Sequence, residues 1–256
     1  MREEGLAGIR QKSIEKIFAA LSDGRTTTRA DIAEKTGLSL VTIGKVLSGF
    51  AEAGLIVQEK EKGYAPGRKS LICSLDPSKR FLIATDEGLF IVDLTGRIIE
   101  ETKYREDPLF DIIEKSVETE GLIGKGKLVK SGREPDFDSD ISVGYHRAAA
   151  IGAIGDSGIY IRKSGEKVAE TAIVFGGGIY EGAHGRAGSW SGSFDELLRA
   201  VEFLDMDEVV IESDIYEASV IPENYRVIAP EDGKRFALRG ITRLMLRKLL
   251  KESVVW

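Results

Sequence analysis

In the run SLVTIGKVLSGF, Ser39, Val41, Thr42 and Lys45 bring small, hydroxylated and basic side chains to one side of a helix. Such a set can lie against base-pair edges in a major groove while a lysine reaches phosphate. Between them Leu40, Ile43, Val46, Leu47 and Phe50 recur at helical spacing and read as the inward face. Ser39 is the expected N-cap of this helix, Ser39 to Ala53. The preceding TRADIAEKTGL reads as a shorter helix. Thr28 caps it, Asp31 sits in its acidic first turn, Ile32, Ala33 and Leu38 turn inward, and Gly37 gives a left-handed stop.

The flanks extend this pair into a larger motif. Ser13 to Leu21 forms an amphipathic helix through Ile14, Ile17, Phe18 and Leu21. After Gly54, LIVQEKEKGYAPGRKSLICSL reads as two strands around a charged Gly/Pro turn, with Arg68 and Lys69 at or near its tip. Three helices and a basic hairpin make a winged helix–turn–helix. Similar caps and spacing occur in helical bundles that contact proteins. The coincidence of turn, wing and basic side chains favours DNA. The expected contacts are Thr28, Arg29, Ser39, Leu40, Val41, Thr42, Lys45, Arg68 and Lys69. Arg68 is expected in the flanking minor groove, and Arg29, Lys45 and Lys69 on phosphates.

Charge divides the chain in the same place. Residues 1–80 hold 14 Lys and Arg against 10 Asp and Glu, net +4, and the remainder holds 22 against 32, net −10. A basic head on an acidic body suits a protein that sets one face on phosphate. With 256 residues and 42% hydrophobic side chains, the chain can bury a small core and a medium one. Its one cysteine, Cys73, excludes an internal disulfide framework and a multi-cysteine metal site. The start, MREEGLAGIR, carries no apolar leader, and no run approaches the ~18 apolar residues of a membrane span. A cytoplasmic protein with no membrane partner is expected.

Asp76 to Arg80, DPSKR, reads as a polar joint between domains 1–75 and 81–256. Beyond it, FLIATDEGLFIVDLTGRIIEE gives an antiparallel meander at the start of an α/β layer. Leu109 to Val117 is helical, a Gly/Lys-rich stretch follows, and the acidic EPDFDSD reads as a solvated loop. An Ala-rich helix begins near His146, with strands near 159–162 and 172–175. Gly176-Gly177-Gly178 is a hairpin turn, because no phosphate-cradling helix start follows it. Phe194 to Leu204 is an amphipathic helix, Glu208 to Ile211 a strand, and Phe236 to Leu250 a closing helix with Leu238, Ile241, Leu244, Met245 and Leu249 inside.

These segments resemble the ROK family of sugar-responsive repressors and sugar kinases. ADIAEKTGLSLVTIGKVLSGFAEAGLIVQE is similar to the family's helix–turn–helix, and PGRKSLICSLDP to its wing and exit. In the body VDLTGRII, YEGAHGRAG and FLDMDEVVI are similar to family segments, YEGAHGRAG most specifically. The resemblance implies a reduced actin-like, ribonuclease H-like α/β body behind the head. The group it points to is that of the N-acetylglucosamine and xylose repressors.

Departures from the family pattern imply lost catalysis. The family's first phosphate loop is replaced by Thr85-Asp86-Glu87-Gly88, and its second by Lys163-Ser164-Gly165-Glu166-Lys167. Tyr145 stands where the catalytic aspartate belongs, and a phenol of ordinary pKa about 10 is no ready base for a sugar hydroxyl. Glu212 and Ser213 occupy the adenosine-side glycines. Ser189-Trp190-Ser191-Gly192 replaces the glutamate that holds sugar and the histidine that joins three cysteines on zinc. The expectation is therefore no enzyme, no catalytic residue, no cofactor and no metal. The partners expected are a double-stranded operator and a second copy of the chain. A sugar effector is left open at His184, Gly185 and Ser189, with His184 more readily structural. The alternative is a sugar kinase or sugar-binding sensor with a divergent site.

Overall fold

The structure, a computed structural model, describes residues 2–22, 27–60, 71–105, 107–130, 135, 138–164, 167–213 and 221–253, with backbone alone for 2–11 and 251–253. The chain divides into two compact units, Met1–Lys79 with Leu246–Trp256, and Arg80–Met245.

In the first unit α1 (Arg2–Leu21), α2 (Arg29–Thr36) and α3 (Leu40–Glu52) are followed by strands β2 (Ile56–Lys60) and β3 (Leu71–Leu75). A two-residue β1 (Thr27–Thr28) completes an antiparallel sheet of order β1-β3-β2. Ile17, Leu21, Ile32, Ile43, Val46, Leu47, Phe50 and Leu55 are buried together as its core, and Phe18 meets Phe50 edge-to-face at 6.4 Å. The hairpin register runs from Ile56 opposite Leu75 to Lys60 opposite Leu71. The first helix starts far earlier than Ser13, because residues before it form helix without an apolar period to announce it. Ala33 and Leu38 are only partly buried. Leu40, read as inward, is exposed: at the first turn its side chain leans back past the start of the helix and finds no core.

The second unit holds two five-stranded sheets of one plan. The first contains β4 (Arg80–Ala84), β5 (Gly88–Val92), β6 (Ile98–Lys103), β7 (Leu122–Val129) and β8 (Ile141–Gly144), in order β6-β5-β4-β7-β8. The second contains β9 (Gly158–Ser164), β10 (Lys167–Phe175), β11 (Gly178–Ile179), β12 (Val209–Glu212) and β13 (Arg226–Ile228), in order β11-β10-β9-β12-β13. In each, three strands form an antiparallel meander and two more add parallel to its first strand. Helix α4 (Pro108–Glu118) links the halves of the first sheet and α6 (Phe194–Phe203) those of the second, with α5 (Tyr145–Ala153) between the sheets in sequence and α7 (Pro230–Ser253) at the end.

The stretch read only as Gly/Lys-rich is strand β7. A β-carbon at Gly126 would lie 2.8 Å from Ile241 Cδ1, and one at Gly124 3.1 Å from Met245 Cε, so the glycines let α7 close on the sheet. Helices α5 and α7 approach still more tightly. A β-carbon at Gly152 would strike the Phe236 carbonyl, and one at Gly240 the Ala148 carbonyl. The glycine run is the β10–β11 hairpin, with Gly176 and Gly177 at positive φ. Leu244 and Leu249 are only half-buried, and Leu204 lies beyond its helix and is exposed.

Candidate nucleic-acid interface and a filled cleft

Side-chain caps start both helices of the pair in the first unit, the one on α2 reciprocal. Thr28 Oγ1 accepts from the Asp31 amide at 3.2 Å, while the Asp31 carboxylate accepts from the Thr28 amide at 2.8 Å. The Thr28 amide first, and then the Thr28 hydroxyl donating to the same carboxylate at 2.8 Å, hold the Asp31 carboxyl below its ordinary range. Gly37 ends α2 at φ 69°, its amide donating to Ala33 at 2.9 Å. Two residues on, Ser39 Oγ accepts from the Thr42 amide at 3.1 Å and lies 2.9 Å from Thr42 Oγ1. With both ends fixed, the direction of α3 is set before any ligand arrives.

Along α3 the chain sorts its side chains cleanly. Ile43, Val46, Leu47 and Phe50 are buried, whereas Leu40 is 58% and Val41 70% exposed, and Lys45 and Ser48 are exposed too. Val41, Lys45 and Ser48 follow one another at helical spacing, so the open face is a continuous strip of methyl, ammonium and hydroxyl groups. Ser48 was missed from sequence; its place one turn beyond Lys45 was the available signal. Arg29, exposed at the start of α2, is carried toward α3: its Nη1 lies 3.6 Å from where a β-carbon on Gly44 would be. Thr28, Ser39 and Thr42 work chiefly as caps, with oxygens engaged locally. Arg68 and Lys69, expected at the wing tip, lie outside the described residues. Cys73 is buried in β3, and burial pushes its thiol above the ordinary value.

In the second unit Tyr145 and Glu212, both singled out in sequence, come together. Tyr145, first residue of α5, is buried with its hydroxyl on Glu212, and the Tyr160 hydroxyl donates to the same carboxylate. Gly233 makes room for this, since a β-carbon there would run into the Glu212 carboxylate and reach 3.0 Å from Tyr145 Oη. Burial, then the Glu212 charge, pushes both phenols far up, so neither takes a proton from a substrate. Burial likewise raises Glu212, despite the phenols, Arg162 and Lys130 acting to lower it. Lys130 Nζ lies 5.2 Å from the Tyr145 ring centre and 3.5 Å from Glu87, which also pairs with Lys234 at 3.3 Å.

The turn Thr85–Gly88 is a plain strand connection. The Thr85 amide donates to the Gly88 carbonyl at 2.9 Å, its hydroxyl donates there at 3.1 Å, and Gly88 packs against the Thr102 carbonyl. At the other loop Ser164 pairs with Lys167 in the β9–β10 hairpin.

Beside the start of α5 a cleft of about 250 Å³ is walled by His146, Arg147, Glu170, Thr171, Gly185, Ser189 and Trp190. Arg147 is paired with Glu181 at 2.8 Å, and Glu170 with Arg162 at 2.7 Å. Burial pushes Glu170 up, but His146, 3.3 Å away, and Arg162 hold it below the ordinary value. Gly185 and Ser189 thus come together at the cleft, while His184 is exposed and stands outside its wall. Among the described residues no group of three His, Cys, Asp or Glu could hold a metal ion, and no helix is long and apolar enough to cross a membrane.

The fold is similar to that of a solved ROK family transcriptional regulator, a homolog of the E. coli Mlc protein, at TM-score 0.58 and 12% identity over 95% of this chain and 100% of that one. A ROK family protein from Streptococcus pneumoniae TIGR4, solved in complex with sucrose, aligns at TM-score 0.45 and 11% identity over 66% of this chain and 99% of that one. No protein-family model and no curated protein matches the chain. The likeness to the regulator is one of fold, a mixed α/β architecture.

Proposed function

We propose that the chain is a sequence-specific DNA-binding transcriptional regulator of the ROK type, a cytoplasmic repressor of sugar-metabolism genes that has lost phosphoryl transfer. Residues 1–75 serve as a winged-helix head, 76–80 as joint and 81–256 as a degenerate ROK-like body. The observation that carries this reading is α3. Its inner face is fully buried, both helices of the pair are capped, and its outer strip of Val41, Lys45 and Ser48 is open. In the major groove Leu40 and Val41 offer methyls to thymine, while Arg29 and Lys45 neutralise phosphates.

Selection of genomic fragments by the purified protein, followed by titration at several salt concentrations, tests the reading. A shared sequence motif is expected, with log affinity falling against log salt at about 0.9 per phosphate contacted. No enriched motif and a flat salt response would sink it.

Loss of catalysis is supported by the Tyr145–Glu212–Tyr160 cluster, in which the phenol at position 145 cannot serve as a base. No ATP-dependent phosphorylation of glucose, N-acetylglucosamine, mannose, fructose or xylose is expected. Turnover above a heat-killed control would overturn that. The second reading, a sugar-binding sensor, has one observation on its side: the cleft sets Trp190 near Glu170, Arg147 and Ser189. Calorimetry with the same sugars decides it. Silence is expected, since a ligand shifts an equilibrium only by its differential affinity. Micromolar binding coupled to DNA release would establish the sensor.

A further inference from the structure

Among the described residues, helix α4 carries an outward apolar face left exposed, with only the Arg105 guanidinium over it, 5.9 Å from the Phe110 ring centre. Inward it buries Ile112 beside Leu82, Ala84, Leu89 and Ile91 of the first sheet. Outward, Leu109 is 46%, Phe110 58%, Ile113 55% and Val117 82% exposed. These four fall on one stripe running the length of the helix. The helix itself is firmly started: Asp107 accepts from the Leu109 amide at 2.9 Å, and Pro108 occupies the first turn. The stripe therefore sits on a fixed element. It presents on the order of 500 Å² of apolar surface, the size of the largest patch on a typical monomer and often functional.

Charge is distributed unevenly along the stripe. Lys103 and Arg105 are exposed at its N-terminal end, beside the exposed capping carboxylate of Asp107. Arg105 is steadied there by Asp111 at 2.7 Å and by Glu114. Glu118 and Glu120 are exposed at the other end, where the negative pole of the helix makes a carboxylate unwelcome.

We infer that this stripe is a two-fold interface with a second copy of the chain, the two α4 helices packed antiparallel. Ile113 then lies near the axis, and Phe110 of each copy covers Val117 of the other. Arg105 faces Glu118 of the second copy, and the opposed helix poles attract. A parallel packing would set Glu118 against Glu118, so charge selects the antiparallel arrangement. The stripe supplies more than half of the ~800 Å² per partner that a standard interface buries. Because the contact is isologous, it delivers two recognition helices to one assembly. In that respect it rests on the regulator reading and names the surface that pairs the copies.

Sedimentation of the full chain without DNA, across the micromolar range, tests the surface. The unaltered chain should be a dimer. I113E and V117E should each weaken it by roughly 100-fold or more, since each change enters a two-fold interface twice near its centre. Glu118→Lys should weaken it less. All three positions are exposed, so melting curves of the monomeric variants should stay cooperative; V117E, the most exposed, keeps the test open if I113E folds poorly. Phe203→Ser, at an exposed apolar residue ending α6, should leave the dimer intact. A monomeric native chain would overturn the inference, as would a dimer indifferent to I113E and V117E or one dissolved by Phe203→Ser.

Anisotropy with selected DNA separates this outcome from that of the regulator reading. Monomeric variants should keep half-site binding and lose the added affinity for a paired site. A dimer broken by V117E with no DNA binding would leave the surface standing and remove the regulator. A native monomer that binds DNA would do the reverse.

Discussion

Helices α3 and α5 begin in opposite ways. At the start of α3, Ser39 turns its hydroxyl back to cap the helix, and Leu40 and Val41 stand bare. At the start of α5, Gly144 offers no side-chain cap, and Tyr145 is driven inward onto a buried carboxylate. At α3 the cap satisfies the amides locally and leaves the outer side chains of the first turn in solvent. At α5 the same place, plugged by the chain's own phenol, has become core. The first unit leaves the side chains of its helix start exposed, and the second has turned those of its helix start to packing.

The largest test of that contrast sets a glycine of the body against one of the head. Gly240→Val should cost at least ~4 kcal/mol by chemical denaturation or abolish folding, because a β-carbon there meets the Ala148 backbone and neither helix can retreat. Gly44→Ala, in α3, meets only Arg29 Nη1 at 3.6 Å and should stabilise by about 0.5–1 kcal/mol through helix propensity. Equal losses at both positions would show that α3 is packed as closely as α5.

On DNA the next effects should be smaller and more selective. Lys45→Ala should weaken binding about evenly across sequences and reduce the salt slope by about 1. Val41→Ala should cost on the order of 1 kcal/mol and relax preference at a single base position. If Lys45→Ala instead changes sequence preference and leaves the slope alone, Lys45 meets base edges and not phosphate.

How much of this was legible in the chain depends on how local each signal is. Caps and left-handed stops are set by residues within three or four positions, so Thr28, Gly37 and Ser39 could be read directly. The doubled sheet order could not. It depends on pairings such as β4 with β7, and β7 is built from alternating Gly and Lys that resemble no strand until α7 needs the space. Tyr145 and Glu212 each stood out in sequence as a departure. That they meet is a fact of the fold, brought about by Tyr160 lying 52 positions before Glu212 on an adjacent parallel strand. Leu40 misled for a related reason: helical spacing marks a stripe, but the end of a helix has no core behind it.

Smaller again are the caps themselves. Thr28→Ala and Ser39→Ala should each cost about 1 kcal/mol of stability, read by denaturation at neutral pH. Each should also loosen DNA binding without altering the salt slope, since the cap fixes direction and carries no charge. A change in slope would mean that these hydroxyls sit against phosphate.

The smallest effect is the most specific to the body's plug. Glu212 has its folded pKa raised above the ordinary 4.5, chiefly by burial. For a raised acid, folding favours the protonated form. The stability it contributes is full below 4.5 and is lost as pH climbs through the higher folded value. Asp31, Asp111 and Glu170 are shifted the other way, so their contributions change below their ordinary values and are constant above about 4.5. The two directions therefore occupy different windows. Glu212→Gln keeps an oxygen for the Tyr160 hydroxyl but cannot ionise. In melting temperatures taken every half unit from pH 3 to 8, the native chain should decline more steeply than Glu212→Gln above pH 4.5, with the two curves parallel below it. Curves that stay parallel throughout would mean that water reaches the carboxylate, and that the position taken up by Tyr145 is an open pocket after all.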